Sequence, residues 1–138
     1  MIYKKIDNNW IVVLKRGEKI IEKLMKFIEK ENITSGYLRG IGAVSSIELA
    51  HFNLKEKRYS SKKIEEPLEI VSLIGNIAEK ENEKFIHCHI AVGNDRMELY
   101  GGHLKEAIVS ATCEVIVTPF TKKVKRAFDS DTGLFLLS

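Results

Sequence analysis

The stretch from Phe85 to Leu104 constrains the fold most, because it alternates as a half-buried strand does and then turns back. Its even positions from Ile86 to Val92 are all apolar, which predicts the face that packs on the core. Gly93-Asn94-Asp95 then supplies turn residues, and Met97 to Tyr100 predicts the returning strand. We therefore expect an antiparallel hairpin here, with its two faces set by the period of two.

Three of the four histidines of the chain lie in this hairpin. His87 and His89 share the strand face opposite the core, with backbones about 7 Å apart. Gly101-Gly102 can adopt backbone angles closed to other residues, and His103 follows directly, so the hairpin could return it beside the other two. Histidine is also common on half-exposed strands, and the third residue is what favours a metal site. Neutral imidazole suits zinc, copper, iron or nickel, and zinc is the default expectation.

Only one segment has the period of a helix. Its apolar stripe is opposed by charged side chains and consists of Ile20, Ile21, Leu24, Phe27 and Ile28. Asn32 predicts the end of this helix. Since the chain offers no second helix of this quality, the helix is expected to cover a sheet.

Further strands are predicted before and after the hairpin. Trp10 to Leu14 and Leu68 to Ala78 are apolar on both alternating faces, which predicts strands covered on both sides. Ala107 to Pro119 predicts a long strand with an apolar face at its odd positions. Ile33 to Ile41 contains glycines that favour bulges, and Ala43 to Asn53 resumes a regular strand.

The remaining segments are read as an exposed, charged segment and a turn. Lys55 to Lys63 is highly charged and predicts an exposed loop or hairpin tip, while Asp129 to Gly133 predicts a turn before Leu134 to Leu137. The count is one main amphipathic helix and about seven strands with short links. This predicts an α+β fold, a single domain over residues 1–138 with a mainly antiparallel sheet.

Composition indicates the size and cellular compartment of the protein more than its function. The chain has 138 residues, enough for one domain with a sizeable core. Cys88 and Cys113 lie on apolar strand faces, so they are read as buried thiols, which suits a reducing cytoplasm. No signal peptide and no apolar run of membrane-spanning length are visible, so we expect a cytoplasmic protein without a membrane partner. The net charge of +3 permits an anionic partner without requiring one.

Four blocks of sequence, in this order, resemble one known family. The blocks are Arg39 to Val44, Leu68 to Ile77, His87-Cys88-His89 and Tyr100 to Leu104. On these residues the chain resembles the plant-and-prokaryote-conserved (PPC) domain, once labelled a PD1-like DNA-binding motif, over roughly Trp10 to Thr118.

The resemblance implies more than the residues do by themselves. It implies one domain with an antiparallel sheet and one main helix, assembled as a homotrimer. Some prokaryotic members look like metal proteins, and the family histidines that match His87, His89 and His103 are the candidate zinc ligands. No settled catalytic activity comes with the family. Plant members carry a separate AT-hook for the DNA minor groove, and this chain has no Arg-Gly-Arg-Pro core to form one.

The first expected function is a zinc-binding PPC-like domain that assembles as a homotrimer, with a DNA-associated or regulatory role and a DNA or protein partner. The alternative is a zinc-dependent enzyme, because three histidines leave the fourth zinc position open. Glu114, Glu69 or Arg39 could then act nearby, as a base or an anion clamp. His51 has no spacing that ties it to the other histidines, so it is expected to be dispensable for the metal.

DNA contact would have to use either the charged segment Lys55 to Lys63 or the basic residues near the C-terminus. The latter are Lys122, Lys123, Lys125 and Arg126. Such runs are usually solvated strand ends, and the C-terminal one lacks the helix or arm that base readout requires. We therefore expect no sequence-specific DNA binding from this segment.

Overall fold

The single helix, α1 (Ile20–Lys30), lies where the apolar period predicts it. The structure is a computed structural model that describes residues 1–138. The four side chains of α1 that face the sheet are fully buried, namely Ile20, Leu24, Phe27 and Ile28. Asn32 adopts a left-handed backbone conformation, with φ of 51°, just after the helix ends. No helix of this structure is long and apolar enough to cross a membrane.

The start of α1 is capped by a residue from far along the chain. Lys19, the residue before the helix, makes no capping hydrogen bond with its side chain. Instead, the carboxylate of Glu106 accepts hydrogen bonds from the backbone N–H groups of Ile21 at 2.9 Å and Glu22 at 3.2 Å. A carboxylate in this position satisfies free N–H groups and also interacts favourably with the helix dipole.

Nine strands form one sheet around this helix. In chain order they are β1 Ile2–Ile6, β2 Asn9–Lys15, β3 Gly36–Asn53, β4 Arg58–Ile64, β5 Leu68–Lys80, β6 Glu83–Gly93, β7 Leu99–Pro119, β8 Lys125–Asp129 and β9 Leu134–Leu137. The main path of neighbours is β1-β2-β7-β3-β5-β8-β9, while β4 pairs with β3, and β6 pairs with both β5 and β7. The pairings of β3, β5, β6 and β7 therefore close a ring.

The number of strands and the direction of one strand differ from the expectation from sequence. The expected number was about seven, and the sheet has nine strands. It is mixed rather than purely antiparallel, because β8 runs parallel to β5, with Glu79 opposite Lys125 and Lys80 opposite Arg126. The segment that was read as an exposed loop or hairpin tip contains a strand of the β3–β4 hairpin, β4, whose side chains are almost all exposed. An exposed strand buries no apolar face, so apolar alternation does not reveal it.

Two strands that were expected to be covered on both sides are covered on one. In β5, Leu73 and Ile77 are buried, but Val71 and Ile74 are 54% and 48% exposed. In β2, Val12 and Leu14 are fully buried while Ile11 is exposed. Apolar residues on both faces thus mark a sheet whose second face is open to solvent in the single chain.

Both cysteines are free and buried, as the alternation predicts. Burial raises the pKa of the Cys88 thiol to about 12 and that of the Cys113 thiol to about 12. The thiols are therefore protonated core side chains at neutral pH.

Glycines allow the strands next to the histidines to approach closely. The two segments expected on either side of Gly42 form one strand, β3, whose register with β5 shifts between Gly40 and Gly42, as bulge-forming glycines predict. On β5, a Cβ atom at Gly75 would lie 2.5 Å from Sγ of Cys88 and 2.5 Å from the carbonyl oxygen of His87. The distance between β5 and β6 at this point therefore requires a residue without a side chain.

We predict that Gly75→Ala lowers the free energy of unfolding by about 1–3 kcal/mol, because the new methyl group displaces β6. The matched control is Gly93→Ala, where the nearest atom is a methyl carbon of Leu99 at 3.4 Å and the backbone has no positive φ. This control is expected to change stability by at most about 0.5 kcal/mol. Urea unfolding of both variants measures the difference, and equal effects would contradict the close approach.

Candidate metal centre

The strand pairing brings the three hairpin histidines together on the face opposite the core. His89 of β6 lies directly opposite His103 of β7, and His87 lies two residues earlier on β6. Each ring can offer one nitrogen such that these atoms lie within 4.8 Å of one another. The ring centroids are 5.0 to 5.6 Å apart. The expected grouping is therefore present, and its binding of a metal stays a prediction.

The glycines before His103 serve a different purpose from the one expected. Gly101 and Gly102 lie inside β7, and neither has a positive φ. A Cβ atom on Gly101 would lie 3.0 Å from the carbonyl oxygen of Ile90, and one on Gly102 would lie 3.0 Å from that of Ala50. The expectation of unusual backbone angles was wrong, and the requirement is close packing of β7 against β6 and β3.

The fourth histidine lies outside this group. His103 is paired with Ala50 of β3, so the next residue, His51, is on the other face of the strand. His51 is exposed and lies opposite Ser60 of β4. That His51 is dispensable for metal binding stays a prediction.

Arg126 is the neighbour of the histidines that sequence reasoning assigned elsewhere. The parallel pairing of β8 with β5 places it beside Asn76 and His87. Its guanidinium donates to Oδ1 of Asn76 at 2.7 Å, to the carbonyl oxygen of Phe135 at 2.8 Å and to Nδ1 of His87 at 3.2 Å. A guanidinium can only donate, so Nδ1 of His87 accepts and the neutral ring carries its proton on Nε2. No local pattern near Arg126 signals this contact.

The third ring has both an aromatic neighbour and an unused nitrogen. Tyr59 of β4 lies 5.3 Å from His103 between ring centroids, and Phe52 lies 4.9 Å from Tyr59. Nδ1 of His103 is buried and has no hydrogen-bond partner in the chain. A buried polar atom without a partner is costly, so a ligand for this nitrogen would stabilise the site.

The surroundings favour neutral imidazoles. Burial lowers the pKa of His87 to about 4, and the charge of Arg126 and the neighbouring histidines act in the same direction. Burial also lowers the pKa of His103, helped by His89 and Lys105. Histidine must be unprotonated to bind a metal, so these shifts keep the rings in the ligand form at neutral pH.

The other residues proposed from sequence lie apart from the histidines. Arg39 and Glu114 line a groove along β3, β5 and β7, and Glu69 lines a neighbouring groove near the start of β5. None of them forms a hydrogen bond with His87, His89 or His103, or lines the cavity beside those rings. Their action on metal chemistry stays a prediction.

The basic segment is less free than its sequence suggests. Lys123 and Lys125 each form an ion pair with Glu79, both at 3.4 Å, and Arg126 faces His87. Lys122 alone of the four cations is exposed and without an ion pair. DNA contact by this segment stays a prediction.

We predict that the metal-free protein loses stability as the pH falls from about 6.5 to about 4. The pKa of His87 is lowered from 6.5 to about 4 by folding, so below 6.5 the unfolded chain binds this proton first and unfolding is favoured. The contribution is fully present above 6.5 and is lost as the pH falls through 4. Urea midpoints in the presence of a chelator should fall less steeply for His87→Gln than for wild type, whereas His51→Gln serves as control. An identical profile for His87→Gln would contradict this origin.

The comparisons with known proteins agree with this geometry. The family model of the Plants and Prokaryotes Conserved (PCC) domain matches residues 1–121. Among solved structures, the chain is 36% identical to a metal-containing protein from Archaeoglobus fulgidus, covering 99% of this chain and 97% of that one with a TM-score of 0.89. It is 34% identical to a candidate DNA-binding protein from Bacteroides thetaiotaomicron, covering 99% and 95% with a TM-score of 0.95.

A third solved structure carries the family name itself. The chain is 26% identical to a plant- and prokaryote-conserved (PPC) protein from Pyrococcus horikoshii, covering 99% of this chain and 94% of that one with a TM-score of 0.87. A comparison with curated proteins finds no match. The family model spans all four sequence blocks that carried the resemblance. The chain therefore belongs to the Plants and Prokaryotes Conserved (PCC, or PPC) domain family.

Proposed function

We propose that this chain is a metal-binding PPC domain that holds one divalent transition metal, zinc in the first place, and works as a homotrimer. The observation that carries the proposal is the set of nitrogens from His87, His89 and His103 within 4.8 Å of one another. The unpartnered Nδ1 of His103 supports it, because coordination would satisfy this buried atom. A relative described as metal-containing supports it further.

Zinc fits the donor set. Its bonds to imidazole nitrogen are about 2.0–2.1 Å long, and tetrahedral geometry then puts two such nitrogens about 3.4 Å apart. Small rotations of the three side chains would bring their nitrogens to that spacing. Cys88 is on the core face of β6, so the chain would supply three nitrogen ligands and leave the fourth position open or filled by water.

Coordination by His87 would change its contact with Arg126. Arg126 donates to Nδ1 of His87, which leaves the proton of the neutral ring on Nε2. A metal on Nδ1 would take the place of this hydrogen bond, and a metal on Nε2 would require a proton on Nδ1, which cannot face a second donor. Either way, metal binding would release Arg126 from His87.

A zinc-dependent enzyme is the second function that the site favours. A cavity of about 560 Å³ is lined by His87 and His103, so a small molecule could reach the histidines. Three protein ligands leave a position for water, whose pKa zinc lowers to about 7. The histidines of this chain would hold the ion, and the cavity wall would hold the substrate.

The homotrimer is supported by the open face of the sheet. Its groove, of about 550 Å³, is lined by apolar side chains including Ile41, Val71 and Ile74. These three are 48% to 59% exposed in the single chain. Exposure of this much apolar surface to water is unfavourable, and burial against another copy would remove it. Arg39 and Glu114 lie in the same groove without an ion-pair partner in their own chain. In an assembly, Arg39 of one copy could pair with Glu114 of another.

A DNA-associated role is supported by the relative described as a candidate DNA-binding protein. It has little support from a free basic patch, since Lys123 and Lys125 both form ion pairs with the carboxylate of Glu79. Any DNA binding would then be sequence-independent and salt-sensitive, and would depend on the repetition of charges in an assembly.

The metal assignment predicts that untagged wild-type protein carries about one metal ion per chain. His89→Ala should lose most of it, because two remaining imidazoles bind weakly, and the triple variant of His87, His89 and His103 should lose all of it. His51→Ala, which changes a histidine on the opposite face, should keep full occupancy. Elemental analysis with circular dichroism as a folding check decides this. A folded triple variant that still carried one metal ion per chain would contradict the proposal.

The assembly proposal predicts a light-scattering mass of three times the 15.7 kDa chain. Ile74→Glu places a charge in the apolar groove and should shift the mass toward the monomer. Leu54→Glu is the matched control, because Leu54 is 61% exposed in the turn between β3 and β4, outside that groove. A wild-type monomer at micromolar concentration would contradict the trimer, and a trimeric Ile74→Glu would place the interface elsewhere.

A further inference from the structure

The cavity beside the histidines has an excess of positive charge. It is lined by four cationic side chains, Lys57, Arg58, Lys80 and Arg126. No aspartate or glutamate lines it. The cations come from three separate parts of the chain, the β3–β4 hairpin, the end of β5 and β8, so their convergence is a product of the fold.

Most of these cations lack an anionic partner. Arg58 is the one that forms an ion pair, with Glu56 at 2.6 Å. The side chain of Lys80 forms no hydrogen bond or ion pair, and its ammonium lies over aromatic rings, 4.3 Å from the centroid of Phe135 and 5.4 Å from that of Phe85. The cavity therefore presents at least one lysine held in place by rings rather than by a carboxylate.

Arg126 has the strongest need for an anion. Its contacts are with a carbonyl oxygen, an amide oxygen and a neutral imidazole. Its Nε is buried and has no partner. Because burying a cation without an opposite charge is costly, an anion in the cavity would stabilise this arrangement. A planar guanidinium matches the two oxygens of a carboxylate.

The rest of the wall selects against a purely inorganic anion. Its apolar side chains are Phe52, Tyr59, Phe85, Leu134, Phe135 and Leu136. A volume of about 560 Å³ suits a small organic molecule. Rings and leucines would bury an apolar body while the cations bind its charged end.

We propose that this cavity binds a small organic carboxylate with an apolar or aromatic body, and that Arg126 and Lys80 hold its carboxylate group. The site extends beyond the proposed metal centre and does not require it, because its binding groups are cations and rings rather than the histidines. In a zinc enzyme, this carboxylate would be the class of substrate.

Isothermal titration of the full-length protein with benzoate tests the proposal, and benzamide is the neutral ligand of the same shape. Benzoate should bind and benzamide should not, and acetate should bind more weakly than benzoate because it lacks the ring. Arg126→Gln should weaken benzoate binding about tenfold or more, the usual effect of losing a charged hydrogen-bond partner. Lys4→Gln, an exposed change on β1 away from the cavity, should leave the affinity unchanged.

Two further measurements separate loss of ligand binding from misfolding and from binding to the metal. If Arg126→Gln is unfolded by circular dichroism, Lys80→Gln replaces it, since the side chain of Lys80 makes no hydrogen bond. The titration is repeated after removal of metal by a chelator, and binding should persist whether or not the histidines hold zinc. Equal binding of benzamide, binding of inorganic phosphate without benzoate, or benzoate affinity unchanged in both variants would overturn the proposal. Binding that disappears with the metal and ignores Arg126→Gln would overturn it too.

Discussion

The register of β6 against its two neighbours is the constraint on which the site depends. β6 pairs with β5 on one edge and β7 on the other, so its alternation cannot slip without breaking two ladders. Cys88 and Ile90 lie in the core, and this forces His87 and His89 onto the opposite face. A slip of one residue would bury both histidines and expose the apolar face of β6. Because that apolar surface would then be lost from the core, the slipped register would be strongly destabilised. His87 and His89 are thus held in place by core packing on the other side of the same strand.

The chemistry of the site follows from charges that are left unbalanced. Burial disfavours protonation of His87, and the positive charge of Arg126 on the cavity side acts in the same direction. The same arrangement would suit two kinds of ligand. Neutral imidazoles offer lone pairs to a metal, while Arg126 and Lys80 offer positive charge to an anion. The Arg126–His87 contact links the two, because a metal on His87 would free the guanidinium for the cavity.

Assembly and ligand binding would use separate surfaces of the sheet. The apolar groove around Ile41 and Ile74 shares no residue with the cavity that contains His87 and Arg126. Burying the first in a homotrimer would therefore leave the residues of the second available. Ile74 itself lies opposite His89 on β6, so the metal content of Ile74→Glu has to be measured together with its mass.

Local patterns determined the helix, the hairpin and the shared face of His87 and His89, because each depends on periodicity within one short segment. They also predicted that His103 could return beside them, since a hairpin fixes its own pairing. The tertiary structure alone decided that Glu106 caps α1 and that Arg126 contacts His87. Those contacts join residues more than thirty positions apart through strand neighbours, and apolar alternation sets the face of a strand without specifying its neighbour. For the same reason the sequence showed β5 to be apolar on both faces, and only the assembled sheet showed that one of them stays open in the single chain.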